Sequence, residues 1–112
     1  MSKITTHILD TSKGKPAKEV TVILYQNVNG LWEELAKAIT NDDGRIPQLL
    51  QKDFKPEHGA YKLRFETKEY FDKLEMDTFY PCVEIVFEIT RDEHYHIPLL
   101  LNPFGYSTYR GS

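Results

Sequence analysis

The chain is poor in cysteine: Cys82 stands alone among 112 residues. No intrachain disulfide can form, so the fold does not draw on an oxidising compartment. Cys82 sits just before the apolar run Val83-Glu84-Ile85-Val86-Phe87 and reads as a small buried hydrophobe rather than a catalytic thiol. Long apolar runs are missing too. No window approaches the roughly 18 residues of a membrane span. The opening Met1-Ser2-Lys3-Ile4-Thr5-Thr6-His7 has no apolar signal core, and the last three residues do not spell a peroxisomal address. A cytoplasmic protein with no membrane partner is expected. Charge of one sign is also lacking. The formal net charge is −3, and Lys and Arg are scattered, so no phosphate-tracking stripe points to nucleic acid. There is no Gly-rich phosphate loop and no Gly-x-Ser-x-Gly elbow. The carboxylates stand apart from one another, and Glu84 and Glu88 read as a solvated strand face.

What is present is a string of short β-prone segments separated by turns. The length suits one domain with one core, here residues 1–112. Thr5 to Asp10 is the first strand. Glu19 to Gln26 is rich in β-branched residues with apolar side chains on both parities. The turn Asn27-Val28-Asn29-Gly30 leads into a strand over 31–40, and Asn41-Asp42-Asp43-Gly44 is a second strong turn. Residues 45–55 are irregular, with room for one short strand. Ala60 to Glu66 alternates, with Tyr61, Leu63 and Phe65 on one face. Val83 to Ile89 alternates as well, and His94 to Leu101 pairs with Gly105 to Arg110 at the end. A single short helix is expected over 68–74, capped by Thr67, with Tyr70 and Leu74 on its inner face. Seven or eight short strands in this length predict an all-β, two-sheet antiparallel β-sandwich with one short helix.

Four places carry side chains suited to chemistry. His7 would share a strand face with Thr5 and Leu9; its bland reading is a histidine packed at a sheet edge. Arg45 directly follows Gly44, whose freedom at positive φ can aim the next side chain. An Arg fork binds planar acceptors at two points, although taken alone a solvated surface charge is the plainer reading. In His94-Tyr95-His96 the two rings lie two apart on one strand face. Such a pair, with His7, has the nitrogens for zinc, but no acid or cysteine cluster accompanies it. Histidine is instead the natural general base near neutral pH, and a cation such as Arg45 beside it would hold it neutral. The fourth place is the end of the chain. The strand-like run from Gly105 reaches Tyr109-Arg110-Gly111-Ser112 without a polar tail, so this end is expected to be held down. Tyr109 and Ser112 offer hydroxyls, Ser112 adds a carboxylate, and Arg110 is suited to an anchoring salt bridge.

Together these pieces resemble the transthyretin-related 5-hydroxyisourate hydrolase family. Four segments carry the resemblance: His7-Ile8-Leu9-Asp10-Thr11 with Gly14-Lys15-Pro16-Ala17; Thr40-Asn41-Asp42-Asp43-Gly44-Arg45; Phe79-Tyr80-Pro81 before the Val83 strand; and His96-Ile97-Pro98-Leu99-Leu100-Leu101 running on to Tyr106-Ser107-Thr108-Tyr109-Arg110-Gly111-Ser112. They occur in order along the whole chain without a large insertion.

The resemblance implies a transthyretin-like sandwich assembled as a homotetramer, with sites in the cleft where two dimers meet. It implies hydrolysis of 5-hydroxyisourate, a urate oxidation product, to 2-oxo-4-hydroxy-4-carboxy-5-ureidoimidazoline, with no cofactor and no metal. The family's catalytic set falls on His7, Arg45, His96 and Ser112, with His7, Arg45 and Tyr109 contacting substrate. His94 is not one of those positions. Two other readings compete. A carrier like transthyretin, which takes thyroid hormone in the corresponding channel, would want an open apolar channel. A generic sandwich interaction module would want an exposed aromatic platform, for which Tyr25, Trp32 and Tyr95 are the candidates.

Overall fold

A computed structural model describes residues 3–112. Met1 and Ser2, assigned above to the same domain, lie outside the described residues. Among the described residues, eight strands and one helix follow in order: β1 Ile4–Asp10, β2 Lys15–Pro16, β3 Thr21–Val28, β4 Leu31–Ile39, β5 Gly59–Phe65, α1 Thr67–Lys73, β6 Val83–Ile89, β7 Tyr95–Asn102 and β8 Gly105–Thr108. They form two four-stranded sheets, in the orders β2-β1-β7-β8 and β4-β3-β5-β6. The expected sandwich is there, antiparallel except for one pair: β1 runs parallel to β7. Their register sets Thr5 opposite His96 and His7 opposite Pro98.

Alternation decides which side chains enter the core. In β1, Ile4, Thr6, Ile8 and Asp10 are buried, while Thr5, His7 and Leu9 are half-exposed. Val22 and Leu24 of β3, Tyr61, Leu63 and Phe65 of β5 and Leu99 of β7 complete the centre. The two buried polar groups of β1 are both satisfied. Thr6 Oγ1 donates to the Ile97 carbonyl at 2.6 Å, and Asp10 accepts from the Tyr70 hydroxyl at 2.6 Å and the Ser12 hydroxyl at 2.6 Å. Phe71, which the helical pattern did not single out, is fully buried beside Tyr70.

Several boundaries differ from the sequence reading. β3 begins at Thr21 rather than Glu19, because Glu19 takes a left-handed φ of +60° that no strand tolerates. It runs to Val28, so the hairpin turn is Asn29-Gly30 alone, both at positive φ, as a tight two-residue hairpin requires. Residues 45–55 hold no strand. Instead, Ile46, Leu49 and Leu50 tuck into the core, and Arg45 makes one isolated bridge to His7. Thr67 does not cap the helix. Glu66 occupies the cap position without a side-chain cap, its carboxylate being engaged by the Arg64 guanidinium, and Thr67 already lies in the first turn. Cys82 is half-buried rather than buried.

Candidate functional site

The site is built on the half-exposed face of β1 and β7. Thr5 and His7 point out of β1 on the same side, and the parallel register brings His96 alongside Thr5. Arg45 arrives from a separate loop by backbone geometry. The Asn41 side chain accepts from the Asp43 and Arg45 amides at 2.9 and 3.1 Å, closing the turn. The Ile8 amide donates to the Gly44 carbonyl at 2.9 Å, docking that turn on β1. Gly44 has φ +71°, and a Cβ there would overlap the Ile8 carbonyl, so only glycine lets the turn lie this close. Arg45 thereby pairs with His7 in an isolated antiparallel bridge.

The end of the chain closes the third side. Thr108 Oγ1 donates to the Pro98 carbonyl at 2.7 Å, and the Gly111 amide donates to the His96 carbonyl at 2.8 Å. Arg110 donates to Glu93 at 2.9 Å and to the His94 carbonyl at 3.2 Å, with its guanidinium 4.3 Å from the Tyr95 ring centre. The expected anchoring salt bridge is therefore present. Gly111 lies against the His96 ring so tightly that a Cβ would come within 2.6 Å of His96 Cδ2.

These elements enclose an open cleft of 740 Å³ lined by His7, Arg45, His96, Tyr109 and Ser112, together with Thr5, Asn41, Pro47, His94 and Pro98. The five side chains that the resemblance assigns to the site thus line one cleft, with His94 beside them and Arg110 outside it. Thr5 is the residue that sequence reasoning passed over. Its Oγ1 lies 2.8 Å from His94 Nε2 and 2.8 Å from His96 Nδ1. The only signal available was its period-two relation to His7.

The electrostatics favour neutral histidines. Burial lowers the His7 pKa below 6.5, Arg45 lowers it further, and Asp43 opposes them. Burial likewise lowers the His96 pKa, reinforced by Arg45, His94 and His7 and opposed by a contact with the Thr5 backbone. His7, His94 and His96 share the cleft, but no group of three His, Cys, Asp or Glu side chains able to hold a metal ion occurs among the described residues. The fourth histidine, His58, is exposed in the loop before β5 and takes no part.

The cavity beside α1 lacks this chemistry. Its 460 Å³ are bordered by Lys13, Lys15, Lys18 and Lys73, with no histidine. The aromatic platform does not assemble: Tyr95 is buried, while Tyr25 and Trp32 flank Lys62, whose Nζ is 4.9 Å from each ring centre.

The chain is similar to known proteins over nearly its whole length. The chain is 45% identical over 115 residues to the 5-hydroxyisourate hydrolase of Mus musculus, covering 99% of this chain and 96% of that one. It is 47% identical over 116 residues to the 5-hydroxyisourate hydrolase of Halalkalibacterium halodurans, covering 98% of each. Among solved structures, Klebsiella pneumoniae 5-hydroxyisourate hydrolase superimposes with a TM-score of 0.85 at 39% identity, covering 97% of this chain and 92% of that one. Sea bream transthyretin in complex with thyroxine superimposes with a TM-score of 0.91 at 32% identity, covering 98% and 95%. Residues 4–111 match the HIUase/Transthyretin family, and the chain belongs to it.

Proposed function

We propose that this protein is a 5-hydroxyisourate hydrolase, opening the six-membered ring of its substrate at a cyclic amide bond. The observation that carries the reading is the convergence of two histidines with lowered pKa and one arginine on a single cleft. In this reading His7 is the base. Neutral at physiological pH, it takes a proton from the attacking water, a contribution typically worth about 10² to 10⁴ in rate. His96 orients the substrate or relays the proton, and the two roles are interchangeable in chemistry. Arg45 binds the imide-like oxygens and stabilises the oxyanion as the carbonyl gains charge. Tyr109 and Ser112 hold the ring by hydrogen bonds. No metal or cofactor enters this scheme.

The same reading gives a homotetramer in the cytoplasm, acting in urate breakdown, with sites where two dimers meet. β6 and β8 end their sheets and carry exposed Val86 and Tyr106, which suits pairing with a second copy. Residues 1–112 act as one domain.

A hormone carrier is the alternative that the thyroxine-bound transthyretin structure brings forward. The cleft argues against it: an apolar channel is what a carrier needs, and here an arginine and three histidines line the wall.

The test is the decay of 5-hydroxyisourate, generated in place from urate by urate oxidase, followed by absorbance and by circular dichroism of the chiral product. Saturable acceleration that disappears in His7→Ala is the expected result. Decay at the spontaneous rate, from a folded protein, would overturn the hydrolase reading in favour of the carrier.

A further inference from the structure

The hydroxyl of Thr5 sits between two imidazoles, 2.8 Å from His94 Nε2 and 2.8 Å from His96 Nδ1. A hydroxyl has one proton to donate and lone pairs with which to accept. It cannot donate to both rings. If both contacts are hydrogen bonds, at most one ring nitrogen accepts from Thr5, and the other must carry a proton and donate to it. The tautomers of His94 and His96 are therefore coupled through a single oxygen.

The rings are also held so that the coupling persists. His94 and His96 stack with centroids 6.2 Å apart and planes 19° from parallel. Thr5 faces His96 across the parallel β1–β7 register. Gly111 closes the Cδ2 edge of the His96 ring, and its amide bonds the His96 carbonyl at 2.8 Å. His94 is fixed from behind by Arg110, which donates to its carbonyl at 3.2 Å.

We propose that Thr5 and His94 are positioning residues that set the tautomer of His96: His96 Nδ1–H donates to Thr5, Thr5 donates to His94 Nε2, and His96 Nε2 is left as a bare acceptor for the cleft. The direction follows from the donors already present. Arg45 supplies N–H groups only. An acceptor is what orienting or deprotonating a water requires, and a nearby guanidinium favours a lone pair over an N–H. Burial and Arg45 together keep His96 neutral, so the tautomer matters. Without its partners His96 reverts to the Nε2–H form that free histidine prefers, and presents a proton where an acceptor is needed.

This inference rests on the hydrolase reading for its effect on rate, but not for the hydrogen-bond chain itself. The experiment therefore has two arms on the full chain. Nitrogen-15 NMR of labelled histidines reads the protonation of each ring nitrogen at neutral pH. Steady-state hydrolysis of 5-hydroxyisourate reads the consequence. Wild type is expected to show His96 protonated at Nδ1 and bare at Nε2. Thr5→Val, isosteric but without the hydroxyl, shifts His96 to the Nε2–H form. His94→Phe does the same, because it keeps a ring in the stack while freeing Thr5 to donate to His96. Thr5→Ser retains the wild-type pattern.

Both disruptive variants should lower kcat about 10- to 100-fold, short of the ~10⁴ of a fully mis-set triad histidine, with KM changed by less than about two-fold. Thr5→Ser should restore most of the rate. A His96 found as Nε2–H in wild type, or a tautomer unchanged across all four proteins, would overturn the proposal. So would Thr5→Ser as slow as Thr5→Val. Absence of hydrolysis by wild type counts against the hydrolase reading alone, because the NMR arm still decides the tautomers.

Discussion

His7 and Arg45 face each other across an isolated antiparallel bridge, the one point where the turn 41–44 delivers its following residue onto β1. The contact is made by backbone, so the guanidinium and the imidazole are placed by the fold rather than by mutual attraction. A guanidinium held beside an imidazole in this way disfavours protonation of the ring.

Arg45→Lys keeps the charge and discards the fork. Arg45 is exposed, so stability should stay within about 0.5 kcal/mol of wild type. Activity toward 5-hydroxyisourate should fall by about 10² to 10³, the usual cost of one oxyanion donor. A lysine variant as fast as wild type would show that two-point binding does no catalytic work here.

The pH profile should be displaced to the acid side. His7 and His96 both titrate below 6.5 in the folded protein, mainly through burial and then through Arg45. The acid limb of kcat/KM should therefore lie below pH 6.5, and Arg45→Gln should move it upward. Stability follows with a definite sign. Below pH 6.5 the unfolded chain takes up protons that the folded histidines resist, so this contribution is fully present above 6.5 and is lost as pH falls through the folded values. A kinetic limb at or above 6.5 would contradict the assigned environment.

Gly111→Ala tests the packing of His96. The added Cβ would meet His96 Cδ2 at 2.6 Å, and either the ring or the end of the chain must move. Misplacement of this order costs about 10² in rate while leaving the distant core alone. The expected signature is lost activity with an unshifted thermal midpoint. Full activity would mean that His96 is not held by Gly111.

Tyr70→Phe probes the core rather than the cleft. The Tyr70 hydroxyl donates to the fully buried Asp10, and both burial and that carboxylate raise its pKa. Removing the hydroxyl takes one donor from Asp10 and should cost about 1 to 3 kcal/mol. Denaturant unfolding would measure it, with hydrolysis in the folded fraction unchanged. A neutral substitution would show that Ser12 alone satisfies the carboxylate.

Much of this protein is legible in the chain itself. Alternation over 60–66 names Tyr61, Leu63 and Phe65 as core, because a strand has only two faces and one must exclude water. The turn residues announce the hairpin at Asn29-Gly30 and the corner at Gly44, since few residue types accept positive φ. His7, Arg45, His96, Tyr109 and Ser112 were nameable as candidates from residue type and motif. That they belong to one site came only with the family resemblance; no local pattern shows it, because they lie up to a chain length apart and are joined by the β1–β7 register, the docked 41–44 turn and the bridge at Gly111. The parallel β1–β7 register is a long-range choice that no local pattern encodes, yet it alone sets Thr5 beside His96. Thr67 looked like a helix cap by type, but the helix starts one residue earlier, with Glu66 at the cap position and Thr67 buried in the first turn. Side-chain chemistry and period are properties of single segments and can be read from the sequence. Register, docking of the 41–44 turn and the tautomer-coupling triad are properties of segment pairs, decided by which surfaces bury each other best.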